Sequence, residues 1–277
     1  MVRIVTDTGA DIPANILKQM NIVAVPLYIY FGDKAYKDGV DIGPDELYKR
    51  LIEGGIHPTT TQPMPSDFVS VYEEISKDTD EIVSIHLSSK VSGTYNSALQ
   101  GKEPLKGKCL IEVIDSRLLS MGTGLVALDA ARVANAGGSL NEVVEEANKS
   151  IQKIRLLAVL ATLKYLLAGG RITKARATLG SLLHVKPLLT MRDGELVQAG
   201  LARSYSKGVD KLSEFVKNTK NIKEIAIVNS TVTEEANQLK ERLSSFVARD
   251  KIHMARIGAA LGVHGGPGTL IMIVAQE

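Results

Sequence analysis

The sequence has one cysteine in 277 residues, Cys109, so no disulfide framework is possible and an intracellular setting fits best. In "CLIEVI" that cysteine reads as a small buried hydrophobe. Charge of one sign is also missing. Lys and Arg outnumber Asp and Glu by 33 to 31, a net charge of +2, which argues against a broad basic surface for nucleic acid. Long apolar runs are absent as well. The longest, "LLAVLATL" (Leu156 to Leu163), sits between Arg155 and Lys164 and is far too short to span a bilayer. "MVRIV" runs straight into "TDTGAD" with nothing resembling a signal peptide. The expectation is a soluble, cytoplasmic protein without integral membrane association.

Motifs for the commonest chemistries are missing too. There is no G-x-x-x-x-G-K-[ST] phosphate loop and no G-x-S-x-G elbow. "GTGLVA" (Gly122 to Ala127) matches a loose dinucleotide fingerprint, but it begins seven positions after the strand end at Asp115. That fingerprint needs its glycines in the strand-to-helix turn, so these read as close helix packing. His57, His86, His184, His253 and His264 are scattered without partners at metal-ligand spacing. No metal and no cofactor are expected.

What is present is a substantial core: 44% hydrophobic against 23% charged residues. The first half alternates strand and helix. "RIVTD" reads as a strand, Ala10 or Asp11 as a helix start with Pro13 in its first turn, and "IVAVPLYIYF" as a second extended stretch. "GPDELYKRLIEGG" is a helix opened by proline and closed by glycines. "SDFVSVYEEISK" has helical spacing at Phe68, Val71, Tyr72 and Ile75, with Ser66 expected as N-cap. "EIVSIHL" and "CLIEVID" are nearly all apolar, as strands covered on both faces are. Ser139 and Glu142 have capping-box spacing. This is the pattern of an α/β fold with a mostly parallel sheet.

The second half changes rhythm. "LLAVLA" reads as a strand and "LLAGGRITKARATLGSLL" as a short helical region broken by a glycine pair. "KPLLTMRDGELVQAG" reads as a hairpin turning at Asp193-Gly194. "EIAIVNS", "KIHMARIG" and "TLIMIVAQ" add three strands, and the hairpin implies a mixed or antiparallel sheet. The expected organisation is two α/β domains, 1–152 and 153–277, packed against each other.

Three polar segments remain as candidates. "HPTTTQPMP" holds Thr59, Thr60 and Thr61 between prolines that bar a helix and stiffen a turn. "HLSSKVSGTYNSA" follows a strand and leads into a helix. Gly93 there permits close backbone approach, and helix N-terminal amides favour an anion. "GVHGGPGTL" places His264 among glycines before the last strand. Ligands of open α/β sheets gather beyond the carboxyl ends of the strands, where the serine loop lies and the threonine loop can meet it. Hydroxyls and amides without lysine or arginine suit a small oxyanion such as a carboxylate. From the residues alone the reading stops at a small anion, with or without an apolar tail.

These segments resemble the DegV family of fatty-acid-binding proteins, partners of bacterial fatty acid kinase. "VTDTGADIP", "VPLYIYFGDKAYKDGVDI", "PTTTQPMPSDF", "LSSKVSGTYNSA", "VIDSRLLSMGTG", "LKYLLAGGRITKARATLGSLLHVKPLL" and "HGGPGTL" follow the family's motifs in order along the whole chain. The resemblance implies a fatty acid with its tail in a buried tunnel and its carboxyl group near the surface. It implies that Thr61 and Ser92 hydrogen-bond the carboxylate and that Thr60, Gly93 and Thr94 shape that site. His264 would close it from the second domain. Arg171 matches a family arginine that binds the headgroup or docks the kinase. A separate ATP-dependent subunit would phosphorylate the carboxyl group. The sequence departs from the pattern in two places. Thr61 stands where the family usually has serine. "LARSYSKG" keeps Arg203 and Lys207 but loses two other basic positions of a segment that could meet the kinase. The spacing of lysines from Lys207 to Lys217 fits either a partner surface or a solvated helix face.

The resemblance agrees with elementary energetics. Burying one methylene is worth about 0.8 kcal/mol, so a tail of about fourteen supplies on the order of 10 kcal/mol before ordering costs. The head site then needs only to leave no buried polar group unpaired. Two other readings stay open at this point: an acyl ester hydrolase using Ser92 and His264, and a phosphate-ligand-binding module, since the family's fold looks related to sugar-phosphotransferase and dihydroxyacetone-kinase domains.

Overall fold

A computed structural model describes residues 1–171 and 185–277. The first half runs β1 (Arg3–Asp7), α1 (Ala14–Met20), β2 (Ile22–Val25), β3 (Tyr28–Phe31), β4 (Lys34–Lys37), α2 (Pro44–Glu53), β5 (Thr59–Thr61), α3 (Pro65–Ile75), β6 (Glu81–His86), α4 (Thr94–Gly101), β7 (Leu110–Asp115), α5 (Met121–Asn135) and α6 (Leu140–Lys153). The second half runs β8 (Ile154–Val159), α7 (Lys164–Ala168), β9 (Lys186–Arg192), β10 (Glu195–Ala202), α8 (Tyr205–Lys217), β11 (Ile222–Asn229), α9 (Thr233–Leu243), β12 (Ile252–Arg256), α10 (Ala259–Gly265) and β13 (Leu270–Gln276). The rest of the helical region expected after the glycine pair, 172–184 with His184, lies outside the described residues.

Four strands form an all-parallel sheet in the order β2-β1-β6-β7. The near-continuous apolar strands explain it, because both faces are covered. Ile82 on β6 packs with Phe68 and Tyr72 of α3, while Val83 and Ile85 pack with α5. A six-stranded sheet takes the order β10-β9-β8-β13-β11-β12; only β11 and β12 pair in parallel, so this sheet is mixed. One face carries Val159, Ile225, Ile227 and Met272 against Leu212 of α8 and Leu239 of α9. The other carries Leu156, Ala226 and Ile273, which share one apolar core with α5, α6 and the parallel sheet. Helices α5 and α6 are therefore the filling between two sheets. The sequence of α5 suits this position, being apolar around most of its girth, with buried Asp129 bonded to Arg132 and Ser150. Gly124 of "GTGLVA" lies within it, where a Cβ would come within 2.8 Å of the Ala10 carbonyl oxygen.

Several local expectations hold. Ser139 Oγ accepts from the Glu142 amide, and Glu142 accepts in return from the Ser139 amide at 2.8 Å, closing the capping box of α6. Asp193 and Gly194 both take positive φ, 51° and 80°, as a two-residue hairpin turn requires.

Others are corrected. Helix α1 begins at Ala14, because Asp11 takes a left-handed φ of 53° after a short 3₁₀ turn at Thr8–Ala10. Helix α3 begins at Pro65, with Met64 rather than Ser66 before it; the Asp67 carboxylate accepts from the Met64 amide at 2.8 Å. "IVAVPLYIYF" is two strands in different sheets, since Pro26 lacks the donor a continuous ladder needs. Thr59–Thr61 is not a turn but the edge strand β5 of a third, antiparallel sheet, β4-β3-β5. No helix among the described residues is long and apolar enough to cross a membrane.

Candidate functional site

A cavity opens between the first-half loops and the inner face of the six-stranded sheet. It holds about 100 Å³, walled mostly by apolar side chains. Its floor follows from strand periodicity. Leu156 and Ala158 of β8 point to the same face, with Leu160 continuing their spacing just beyond the strand. Register places Leu189 of β9 and Ile271 of β13 on either side of Ala158. Leu27 and Leu87 of the first half complete the apolar wall.

The polar end is assembled from all three candidate segments. Thr60, Thr61 and Gln62 line it from β5 and the residue beyond, Ser92 from the serine loop, and His264 and Gly265 from α10. Thr60 Oγ1 and His264 Nε2 are 2.7 Å apart, a hydrogen bond across 204 residues. Arg171 also lines the cavity, with its side chain exposed and its Nη1 donating to the Gly169 carbonyl at 2.6 Å.

The four hydroxyls of the serine loop have four different placements. Ser88 Oγ donates to the carbonyl of Gly194 at the hairpin turn, 2.6 Å. Ser89 Oγ donates to Asp115 on the exposed side, 2.5 Å. Thr94 is fully buried, and its Oγ1 lies 2.7 Å from Ser92 Oγ. Ser92 alone of these lines the cavity, and its Oγ also accepts from the Thr94 amide at 3.3 Å. Gly93 does not line it. A Cβ there would come within 2.9 Å of the Gln62 side-chain amide, so this glycine lets the threonine and serine segments close on each other. Thr94 and Gly93 thus stand behind the lining.

Close packing also fixes His264. A Cβ at Gly169 would lie 2.1 Å from its Nδ1, and one at Gly266 would lie 2.1 Å from the Tyr165 ring. The His57 and Tyr165 rings stand with centroids 6.0 Å apart. Burial, then the charges of Arg171 and His57, push the His264 imidazole down to about 3. Burial and Lys164 lower His57 as well. His264 is therefore neutral at pH 7. Its Nδ1 is buried without a hydrogen-bond partner among the described residues.

This bears on an acyl ester hydrolase. A serine–histidine relay needs the two side chains bonded and a third group orienting the imidazole. Here Ser92 pairs with Thr94 and His264 with Thr60, and no carboxylate meets Nδ1 among the described residues. An Asp–His–Ser chain does exist elsewhere. Asp7 Oδ2 lies 2.9 Å from His86 Nδ1, and His86 Nε2 lies 2.7 Å from Ser84 Oγ, which accepts from the Tyr72 hydroxyl at 2.8 Å. All four are fully buried, so the chain ties β1, β6 and α3 together in the core. His253 bonds Glu224 at 2.6 Å beside Arg132 of α5, away from the cavity. No group of three His, Cys, Asp or Glu side chains among the described residues is arranged to hold a metal ion.

Arg203 and Lys207 are exposed at the start of α8 and do not line the cavity; Lys207 Nζ pairs with Asp210 at 3.2 Å. Sequence reasoning passed over Gln62, although it stands in the quoted "TTTQP". It also passed over the apolar lining, whose leucines have no signal that separates them from core.

Comparison with known proteins accords with this geometry. The DegV family model matches residues 1–277. A DegV domain-containing protein of Caldanaerobacter subterraneus subsp. tengcongensis is 38% identical over 269 residues, 96% of this chain and 95% of the relative. A DegV family protein of Thermus thermophilus, solved in a study of its fatty acid binding, superposes with a TM-score of 0.92 at 32% identity, covering 100% of this chain and 99% of that one. DegV of Bacillus subtilis, described as a fatty acid binding protein, superposes with a TM-score of 0.90 at 28% identity over 100% and 99% of the two chains.

Proposed function

The chain belongs to the DegV family, and from that premise we propose that it binds a long-chain fatty acid, tail inward, with the carboxyl group at the polar end of the cavity. The observation that carries this reading is the cavity itself: a leucine-lined space that ends in Thr60, Thr61, Ser92 and His264. Thr61 and Ser92 donate to the carboxylate. His264, held through Thr60, closes the site from the second half, while Gly93 and Thr94 shape it from behind. Arg171 stands at the mouth, where an exposed guanidinium meets an anion without a large desolvation cost. On this reading the chain has two working parts, 1–152 with the carboxylate loops and 153–277 closing the tunnel, and it works in the cytoplasm.

The finer part of the proposal is that the protein is a non-catalytic subunit. It presents the carboxyl group to a separate ATP-dependent fatty acid kinase, with Arg171, Arg203 and Lys207 as docking residues. A carboxyl group held at the mouth by neutral hydroxyls supports this, because it stays within reach of a second protein. The test is extraction of the purified protein followed by mass spectrometry, with native mass spectrometry after incubation with palmitate. A bound acyl chain or one-to-one uptake is expected. Failure of both removes the lipid reading. Hydroxylamine trapping of an acyl phosphate, in the presence of ATP and a kinase subunit, tests presentation separately; uptake without trapping removes only that part.

A further inference from the structure

Two motifs are left over by the head site: "TDTGAD" with Asp11, and "KDGVDI" with Asp38. Both place a carboxylate on the same short helix. Asp11 Oδ1 accepts from the Gly258 amide at 2.8 Å, and Asp38 Oδ1 accepts from the Ala259 amide at 3.0 Å. These amides open α10, the helix that ends in His264. Tyr48 donates its hydroxyl to the Ile257 carbonyl at 3.2 Å, one residue upstream. Midway along α10, Gly262 lies so close to Leu47 and Tyr48 that a Cβ would come within 2.6 and 2.8 Å of them. The entry and the middle of the helix are thus gripped by side chains from the first fifty residues, while its end meets Thr60.

The grip is expensive. Asp11 and Asp38 are both buried. Asp11 and its partner Ser120, whose Oγ donates to it at 2.6 Å, both sit at left-handed φ, 53° and 54°. A helix cap alone needs one hydroxyl or one carboxylate. We propose that Asp11 and Asp38 are positioning residues for the head site, holding α10 at the height and rotation that set His264 against Thr60. This rests on the reading of His264 as part of the headgroup site.

Charge supports the geometry. Burial, opposed by the Ser120 and Gly258 hydrogen bonds and aided by Asp38 and Asp7, raises Asp11 to about 8. Burial raises Asp38 too. The other groups facing the pair are the Tyr48 hydroxyl and Arg256. Burial and the neighbouring carboxylates thus oppose ionisation of Asp11, and the bonds it accepts from Ser120 and Gly258 partly offset that cost.

The test combines palmitate titration with ¹⁵N imidazole spectra of His264 in the unliganded protein. Asp11→Ala and Asp38→Ala should each weaken palmitate binding about five- to tenfold, the size of a lost helix cap, and shift the His264 signals. Asp11→Asn keeps an acceptor oxygen and should restore both relative to alanine. A lower melting temperature with unchanged His264 signals and affinity in the alanine variants overturns the proposal. If those variants do not fold, an Asp11→Asn protein that keeps the acceptor yet shows shifted His264 signals and weakened palmitate binding overturns it. If palmitate does not bind while the His264 signals respond as stated, the fatty-acid reading fails and the positioning role stands.

Discussion

Replacing Gly169 by alanine tests the head site with a single methyl group. Gly169 closes α7 with φ −78° and ψ −8°, a conformation alanine adopts freely. On backbone grounds alone the change stabilises by about 0.4–1 kcal/mol. The structure reverses that sign. The new Cβ would lie 2.1 Å from His264 Nδ1 and 2.8 Å from its Cε1. Ordinary contact begins at 3.4 Å, so the imidazole must retreat by 3.4 − 2.1 = 1.3 Å. The Thr60–His264 bond, 2.7 Å long, does not survive such a displacement intact. Overpacking of this kind costs about 1–3 kcal/mol and a lost hydrogen bond about 0.5–1.5 kcal/mol, so after the backbone gain the net effect is about 0.5–4 kcal/mol of destabilisation. Urea unfolding reads this directly, and palmitate titration should show about a tenfold loss of affinity, the equivalent of 1.4 kcal/mol. In a His264→Ala background the same methyl has room, so the cycle should return a coupling between the two positions. A Gly169→Ala protein that is as stable as its parent, with unchanged affinity, would refute the packing argument.

Ser92→Ala should weaken palmitate binding by about 1.5–3 kcal/mol, the usual worth of a hydrogen bond to a charged group. Its tail contacts should still retain some lipid through purification. Displacement titration measures the first and extraction the second; unchanged affinity removes Ser92 from the headgroup. Acid should unfold the protein partly through Glu224. Burial alone would raise its carboxyl, but bonds from His253 and Arg132 outweigh it and hold the group down to about 2. The lowered value means stability that is present above the unfolded value of 4.5 and lost as pH falls from there towards 2. A shift of that size is worth about 3 kcal/mol, and Glu224→Gln should flatten the loss in urea titrations between pH 5 and 3. His264 adds a loss of its own. Its unfolded imidazole takes up a proton below 6.5 while the folded one resists to about 3, so stability falls across that window; a His264→Asn variant that unfolds with the same pH dependence would contradict this.

The parts of the fold that were legible are those set by local chemistry. β6 and β7 announced themselves by unbroken apolar runs, because a strand covered on both faces needs no polar side. The β9–β10 hairpin was legible because Asp193 and Gly194 tolerate the left-handed backbone its turn demands. Strand β5 was not, since the prolines at 58 and 63 read as loop punctuation while its pairing to β3 is a distant event. The same limit governs the site. The serine loop could be seen, but the choice among Ser88, Ser89, Ser92 and Thr94 depends on Gly194, Asp115 and the cavity, all far away in sequence. Leu156 and Leu189 belong to the core and also line the cavity, while Leu212 and Leu239 only fill a core, and no composition or period separates them. The Asp7–His86–Ser84–Tyr72 chain was equally hidden, its acid lying 79 residues from its imidazole.

The polarity of the head site follows from where its affinity comes from. On the fatty-acid reading the tail carries the binding energy, so the carboxyl group needs pairing but not a buried counter-charge. A buried cation would have to recover its own desolvation from the ligand, and would leave an uncompensated charge whenever the cavity emptied. The chain avoids that cost. Its imidazole is held neutral by burial, its arginine stays exposed at the mouth, and its hydroxyls have partners of their own, Ser92 with Thr94 and Thr60 with His264. Hydroxyls that rotate can turn from each other to a carboxylate without moving the backbone. On the fatty-acid reading, such a site pairs the carboxyl group without a fixed counter-charge and leaves the affinity to the tail.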